Sequence, residues 1–211
     1  KLILGELGLK YSGALGTKNR ELAMADPNAS KDDSNMFVYE FFYGLDIADA
    51  VIQSMNKGLE GAIAWDLDDA MHTQDDKGDK SKLKRWGMWN SLGTELCNKP
   101  EDENLRPWFY TWSLMCRYFP TGMNIADITS PENLSVRVVA GILTDKSVSI
   151  ALMNNSLNDR DITINCSGMP KSATLKKYFY FDGKRSVDEK GFPVSTETVK
   201  IKSGSCKLCI P

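Results

Sequence analysis

The sequence predicts an α/β segment over residues 1–122, followed by an all-β segment over residues 123–211. In the first segment, short apolar runs alternate with apolar residues at helical spacing, which indicates strand–helix units. In the second segment, apolar and polar residues alternate with period two between turn residues, which indicates an antiparallel β-sandwich domain. The change of pattern places the domain boundary at Gly122.

Residues 2–6 form the first apolar run and predict a strand that ends on a carboxylate, Glu6. A run without polar alternation is typical of a strand that is buried on both faces in a parallel sheet. Active sites of α/β proteins lie at the C-terminal ends of such strands. Glu6 is therefore a candidate functional residue.

A loop and then a helix are predicted to follow. Residues 11–35 are rich in Gly, Asn, Asp and Ser and are too many for a simple connection, which favours a functional loop. Asp33 or Ser34 is placed to cap the helix, and Gly58 is placed to end it. Its apolar positions recur at three-and-four spacing: Phe41, Leu45, Ala48, Ile52 and Met55.

Residues 61–65 are a second apolar run that ends on Trp65, with polar residues directly after it. A strand–helix–strand unit with a right-handed crossover makes the two strands parallel neighbours. Glu6 and Trp65 are therefore expected at the same edge of the sheet. The polar residues that follow are Asp66, Asp68, Asp69 and His72.

Two strand–helix units cannot close a sheet, and strands that are apolar on both faces need partners and cover. We therefore expect residues 1–122 to form the last strands and helices of a larger TIM (β/α)8 barrel. A further helix is predicted from Pro107, which suits a first turn, to Pro120. Its apolar stripe is Trp108, Trp112, Met115 and Phe119.

The composition excludes several classes of function. No apolar run approaches the roughly 20 residues of a membrane-spanning helix, and a net charge of −2 provides no basic surface for nucleic acid. Cys206 and Cys209 are closely spaced, but the whole chain offers one histidine to join them, which supports a zinc site poorly. The odd number of cysteines argues against a disulfide scaffold, although it permits a Cys pair. We expect no metal and no cofactor.

Glu6 and Trp65 are the residue types that a sugar-cleaving site needs. An aromatic ring stacks on the apolar face of a pyranose, and a carboxylate at the anomeric carbon acts as nucleophile or stabilises an oxocarbenium-like centre. Each residue also has a structural interpretation. Glu6 can be a plain strand-end carboxylate, and Trp65 can be part of the core.

Three stretches of the chain are similar to motifs of a known group of enzymes. Gly5-Glu6-Leu7-Gly8 is similar to the end of a seventh barrel strand, and Gly61-Ala62-Ile63-Ala64-Trp65 to an eighth strand. Residues 106–122 are similar to a last barrel helix that leads into an appended sandwich. Together they resemble the C-terminal portion of the retaining (β/α)8 glycoside hydrolases of clan A, such as the family 5 cellulase-like enzymes.

The resemblance implies a retaining glycoside hydrolase that acts on O-glycosidic bonds of a poly- or oligosaccharide. It implies that Glu6 is the nucleophile and that Trp65 lines the sugar site. The acid/base glutamate, at the end of the fourth strand in this group, would lie upstream of Lys1, so these residues alone are expected to be inactive. The N-terminal remainder of the barrel is then a required partner, and a secreted or periplasmic location is implied.

Asp68 and His72 are further candidates for substrate binding, because both follow the second strand and can hydrogen-bond sugar hydroxyls. The acidic cluster around Asp68 also has the residue type that binds Ca²⁺, but it lacks the glycine and distal glutamate of an EF-hand loop. A solvated or structurally hydrogen-bonded loop is the alternative for these residues.

Two other classes of function are alternatives to an enzyme. In one, the all-β segment is a non-catalytic carbohydrate-binding or structural module, since strand alternation does not distinguish a binding sandwich from a structural one. In the other, the cysteines build a redox or metal protein, which their spacing supports poorly.

Overall fold

The computed structural model describes residues 2–69, 79–129, 135–166, 170, 173–181, 184–202 and 204–211. The chain forms two compact units, Lys1–Trp112 and Ser113–Pro211. The first unit contains helices and a parallel strand pair, and the second contains antiparallel strands. The predicted change from mixed α/β to β structure is confirmed, and the predicted boundary at Gly122 stays a prediction.

The first unit opens with the predicted parallel pair, β1 (Ile3–Leu7) and β2 (Gly61–Ala64). The sequence predicted that β1 is buried on both faces, but within the described residues one face is open. Leu7 is 4% exposed, but Ile3 and Ile63 are 58% and 60% exposed. Side chains alternate between faces along a strand, and Ile3 pairs with Gly61, so Ile3 and Ile63 share one face. This face reaches solvent because the described residues contribute only two strands to the parallel sheet.

Residues 11–35 contain a helix, α1 (Gly13–Ala25), where the sequence predicted a loop. Ala23 is the one buried residue of this helix, so α1 has no apolar stripe for a pattern search to detect. Hydrogen bonds from Asn19 fix it instead. The Asn19 amide donates to the Ser34 carbonyl at 2.8 Å and accepts from the Met36 N–H at 2.7 Å.

The next helix begins later than its predicted caps, Asp33 and Ser34. Asn35 is the residue that caps, and it caps a 3-10 turn (Met36–Tyr39) by accepting from the Phe37 N–H at 3.1 Å. The helix α2 (Phe41–Asn56) follows this turn directly. Asn, like Asp and Ser, favours such cap positions, so the residue type alone did not identify which neighbour would serve.

The buried face of α2 is rotated relative to the predicted stripe, although Ala48 and Ile52 belong to both. Tyr43 is larger than any residue of the predicted stripe, and it is fully buried. Gly58 follows α2 with φ of 81°, which confirms the predicted left-handed C-terminal residue. The buried residues of α2 are Tyr43, Gly44, Ile47, Ala48, Val51 and Ile52.

Beyond β2 the first unit contains α3 (Gly93–Cys97), and α4 (Pro107–Tyr118) continues into the second unit. Two more 3-10 turns cover Lys80–Lys82 and Pro100–Glu103. The sequence predicted α4, with Pro107 in its first turn and Trp108 on its buried face. Trp108 is fully buried, and its indole N–H donates to the Gly87 carbonyl at 3.1 Å.

The second unit consists of short strands that pair antiparallel, as predicted. One sheet has the order β3-β4-β5, and three further pairs join β6 to β11, β7 to β10 and β8 to β9. The predicted strand over residues 175–181 is interrupted after Lys177. Stacking of these sheets into a sandwich stays a prediction. The strands are β3 (Asn124–Ile125), β4 (Val136–Ile142), β5 (Val148–Asn154), β6 (Arg160–Asn165), β7 (Thr174–Lys177), β8 (Tyr180–Phe181), β9 (Lys184–Arg185), β10 (Glu197–Lys200) and β11 (Ser205–Ile210).

Candidate active site

Glu6 and Trp65 emerge at the same edge of the β1–β2 pair. The two strands run in register at Leu4 opposite Ala62, and again at Leu7 opposite Ala64. The Trp65 N–H donates to the Leu7 carbonyl at 2.9 Å, which continues the pairing one residue beyond β2. The carboxylate and the indole therefore follow neighbouring parallel strands at their C-terminal ends.

A β-bulge determines how Glu6 is presented. Between the paired positions, β1 has one more residue than β2, so the register shifts across Gly5 and Glu6. Bulges bend a strand and re-aim a side chain, and they are common beside active sites. Glu6 is exposed, whereas the next residue, Leu7, is buried. The bulge thus leaves the carboxylate accessible at the end of a strand that is anchored by Leu7.

Close packing surrounds Trp65, which is half-buried and joined to Asp66 by a cis peptide bond. A methyl group at Gly8 would lie 3.2 Å from the Trp86 ring and 3.3 Å from the Trp65 carbonyl oxygen. Glycine at this position lets the chain after β1 pass between the Trp86 ring and the Trp65 carbonyl. The indole N–H of Trp86 donates to the Asp33 carbonyl at 2.9 Å, so Trp86 is held as well as buried.

The chain after Glu6 is held by polar contacts from α2 and from the turn before it. The Leu9 N–H donates to the Tyr43 hydroxyl at 3.4 Å, and the Asn35 amide donates to the Leu9 carbonyl at 2.8 Å. The Tyr11 hydroxyl donates to Asp46 at 2.7 Å. Burial raises the pKa of Tyr43 to about 12, so its hydroxyl stays protonated at neutral pH. These contacts fix the segment that carries Glu6.

The three aspartates after Trp65 have different environments. Asp69 has a fully buried side chain, which accepts from the Trp86 and Gly87 N–H groups at 3.0 and 2.9 Å. Asp68 accepts from the Ser91 N–H at 2.9 Å. Asp66 is half-buried, and burial, with the charges of Asp69 and Asp68, raises its pKa to about 7. Asp69 therefore makes structural hydrogen bonds, which were the alternative to substrate binding. Asp68 also accepts a hydrogen bond from a backbone N–H.

Two buried arginines complete the surroundings of Asp69. The Arg85 guanidinium donates to Asp69 at 3.0 Å and to Asp102 at 2.9 Å. Arg106 binds Asp69 through both terminal nitrogens, and one of them also donates to the Tyr39 hydroxyl at 2.9 Å. Burial alone lowers the pKa of Arg106, but the hydrogen bond and charge of Asp69 more than offset this and raise it.

Neither arginine is a candidate from the sequence, because charged residues are taken as solvated unless a partner is evident. The available signal was their position: Arg85 stands next to Trp86, and Arg106 stands directly before the helix that carries Trp108.

His72 lies outside the described residues, so its place relative to Glu6 and Trp65 stays a prediction. Within the described ranges, no three His, Cys, Asp or Glu side chains are grouped as a metal ion requires. None of the helices in that part of the chain combines the length and the apolar character needed to cross a lipid bilayer.

Comparison with known proteins finds similarity at the level of structure. No protein-family model and no curated protein matches the chain. It is similar to a family 30 endoxylanase of Clostridium papyrosolvens, with a TM-score of 0.57 and 14% identity, covering 100% of this chain and 46% of that one. It is also similar to a family 30 subfamily 8 xylanase of Clostridium acetobutylicum, with a TM-score of 0.58 and 11% identity, covering 82% of this chain and 37% of that one.

The fold of this chain is therefore related to that of glycoside hydrolases, and it matches their C-terminal part. The chain spans less than half the length of these structures. Both neighbours belong to family 30, so the finer resemblance to family 5 is not supported. At such low identity the likeness concerns the fold alone, and it does not assign a role to Glu6.

Proposed function

We propose that this chain supplies the nucleophile and the sugar-stacking surface of a retaining glycoside hydrolase. The observation that carries the proposal is the emergence of Glu6 and Trp65 at one edge of a parallel strand pair. In barrels built from such strands, side chains at this edge form the active site. The exposure of Glu6 in a bulge supports the same assignment, since a nucleophile has to reach its substrate.

The proposed substrate is an O-glycosidic bond of a poly- or oligosaccharide. The two structural neighbours are described as an endoxylanase and a xylanase, so xylan is the polymer to test first. Trp65 would stack on the apolar face of one sugar ring. Asp68 and His72 are proposed to bind sugar hydroxyls, with Asp68 sharing its carboxylate with the Ser91 N–H.

The proposed reaction has two steps. The Glu6 carboxylate attacks the anomeric carbon as the glycosidic bond breaks, and a second glutamate gives its proton to the leaving oxygen. That second glutamate then takes a proton from water, which displaces Glu6 and restores the anomeric configuration. Retention needs the two carboxyl groups about 5 to 5.5 Å apart. We place the second glutamate upstream of Lys1, in the N-terminal remainder of the barrel.

The exposed face of the β1–β2 pair supports the need for this remainder. Ile3 and Ile63 are apolar and more than half exposed on one face. Inward-facing layers of branched apolar side chains are what fills a (β/α)8 barrel. Further parallel strands would cover this face and would pair with the open edges of β1 and β2.

The test uses the polypeptide that includes the upstream part together with this chain. We expect Glu6→Gln to fold normally and to abolish xylan hydrolysis, because the amide cannot form the glycosyl-enzyme. A 2-fluoro-xylobioside with a good leaving group should add the mass of one 2-fluoro-xylobiosyl group to the wild-type peptide that contains Glu6. Near-normal hydrolysis by the variant, or the label on another residue, would overturn the assignment.

Glu60→Gln is the matched control. Glu60 is also exposed, and its N–H donates to the Leu2 carbonyl at the opposite edge of the same strand pair. We expect this variant to keep its activity and its labelling. Loss of activity in both variants would point to a damaged sheet and not to a missing nucleophile.

A further inference from the structure

Asp69 lies at the centre of a buried ionic group, here called the Asp69 cluster, which comprises Asp69, Arg85, Asp102, Arg106 and Tyr39. The side chains of Asp69 and Arg85 are 0% exposed and that of Arg106 is 3% exposed. Placing charges in the interior carries a desolvation penalty of several kcal/mol per ion, and apolar residues of similar size often serve stability as well or better. Stability alone is therefore a weak reason for this cluster.

The cluster has a specific geometry around Asp69. One carboxylate oxygen accepts from the Trp86 and Gly87 N–H groups and, at 2.7 Å, from Arg106. The other oxygen accepts from Arg85 at 3.0 Å and from the second terminal nitrogen of Arg106. The two-pronged contact with Arg106 fixes the direction of the carboxylate as well as its position. Arg106 is held in turn, because it stacks 4.2 Å from the Tyr39 ring centre.

This geometry clamps the loop of residues 66–69 against the segment of residues 86–91. The Asp69 N–H donates to the Trp89 carbonyl at 3.0 Å, and the Leu67 carbonyl accepts from the Met88 N–H at 2.9 Å. A methyl group at Gly87 would overlap the backbone of Asp68 and Asp69. The loop therefore lies directly on the segment that holds the Asp69 carboxylate.

The clamped loop directly follows Trp65, and the clamping segment includes Trp86, whose ring packs on Gly8 beside the Trp65 carbonyl. Both sides of the candidate site thus depend on the contacts that Asp69 makes. We infer that Asp69 and Arg106 are positioning residues, which hold the post-β2 loop so that the Trp65 ring stays in place to stack on a sugar. The sugar-binding part of this inference rests on the proposed function.

The experiment separates positioning from general stabilisation by comparing Asp69→Asn with Asp102→Asn. Asp102 belongs to the same cluster, but its carboxylate accepts hydrogen bonds from Arg85 and Tyr39 and not from residues 66–69. The Trp65 signal is obtained as the difference in fluorescence between each protein and its Trp65→Phe counterpart. We expect acrylamide quenching of Trp65 to rise about twofold or more in Asp69→Asn as the loop opens, and to stay at the wild-type value in Asp102→Asn.

The ligand readout uses xylotriose and the polypeptide that includes the upstream part. We expect its Kd to rise roughly tenfold in Asp69→Asn and to be unchanged in Asp102→Asn, because a displaced ring loses its stacking contact. Arg106→Lys is the second variant, because it keeps the charge and loses the two-pronged contact. It serves for both readouts if Asp69→Asn does not fold, and we expect it to shift them in the same direction.

The outcomes keep the two proposals apart. If acrylamide quenches Trp65 equally in the wild type, in Asp69→Asn and in Arg106→Lys, the positioning role is overturned. This holds whatever the Kd for xylotriose is. Higher quenching in Asp69→Asn, with no xylotriose binding by the wild type, supports positioning and overturns xylan as the ligand that stacks on Trp65. Equal increases in Asp69→Asn and Asp102→Asn assign the cluster to general stability and also overturn the inference.

Discussion

At the scale of single residues, Asp66 beside the candidate site makes the stability of the chain depend on pH. It stands directly after Trp65, and its pKa is raised from 3.8 to about 7 by burial first and by the charges of Asp69 and Asp68 second. Below about pH 4 both the folded and the unfolded chain hold this proton, so the group has no effect on stability there. Between about pH 4 and pH 7 the unfolded chain releases the proton while the folded chain keeps it, so stability falls as the pH rises.

We predict that Asp66→Asn stabilises the chain at pH 8 and has little effect at pH 4, since asparagine has no charged form to bury. Solvent screens a half-buried group, so the gain is on the order of 1 kcal/mol. Thermal unfolding between pH 4 and pH 8 measures it. The exposed Asp32→Asn variant is the control, and we expect it to unfold like the wild type at both pH values. A gain that is equal at both pH values, or a loss at pH 8, would contradict the raised pKa.

At the scale of elements, the apolar pattern of the sequence predicted the helices and strands that bury apolar side chains. It did not predict the helix and the side-chain contacts that depend on polar groups. Both parallel strands, α2 and α4 were predicted because their apolar residues recur at strand or helix spacing. Helix α1 was missed because it buries one alanine and is tied to its neighbours through Asn19. For the same reason the sequence indicated Glu6 and Trp65 as a pair but not the Asp69–Arg106 contact that lies behind them.

The contact between the post-β2 loop and residues 86–91 gives a test at this scale. We predict that Gly87→Ala destabilises the chain by roughly 1 to 3 kcal/mol, because its methyl group would overlap the backbone of Asp68 and Asp69. Gly5→Ala is the matched control, because a methyl group there meets no atom within 4 Å. Urea unfolding of the two variants measures the difference. Equal stability of both would mean that the loop does not lie against Gly87.

At the scale of the whole molecule, the first unit has an apolar sheet face that its own described residues leave open. Ile3 and Ile63 lie on this face, and their exposed fractions of 58% and 60% resemble those of surface residues. The related structures are more than twice as long as this chain, which matches their C-terminal part. We therefore propose that upstream strands cover the face, and that covering it completes the candidate site with the second carboxylate.

A charge on this face tests the proposal. We predict that Ile63→Lys leaves the folding of the 211-residue chain almost unchanged, because the side chain is 60% exposed, and that it prevents association with the upstream polypeptide. In a covered sheet the ammonium would be buried without a partner, at a cost of several kcal/mol. For this test the upstream part is expressed as a separate tagged polypeptide together with this chain, and co-purification and size-exclusion chromatography measure association. Leu157→Lys is the control, since Leu157 is fully exposed in the second unit and should not affect association. Co-purification of Ile63→Lys at the wild-type level would show that this face stays open, and the second carboxylate would then have to be sought elsewhere.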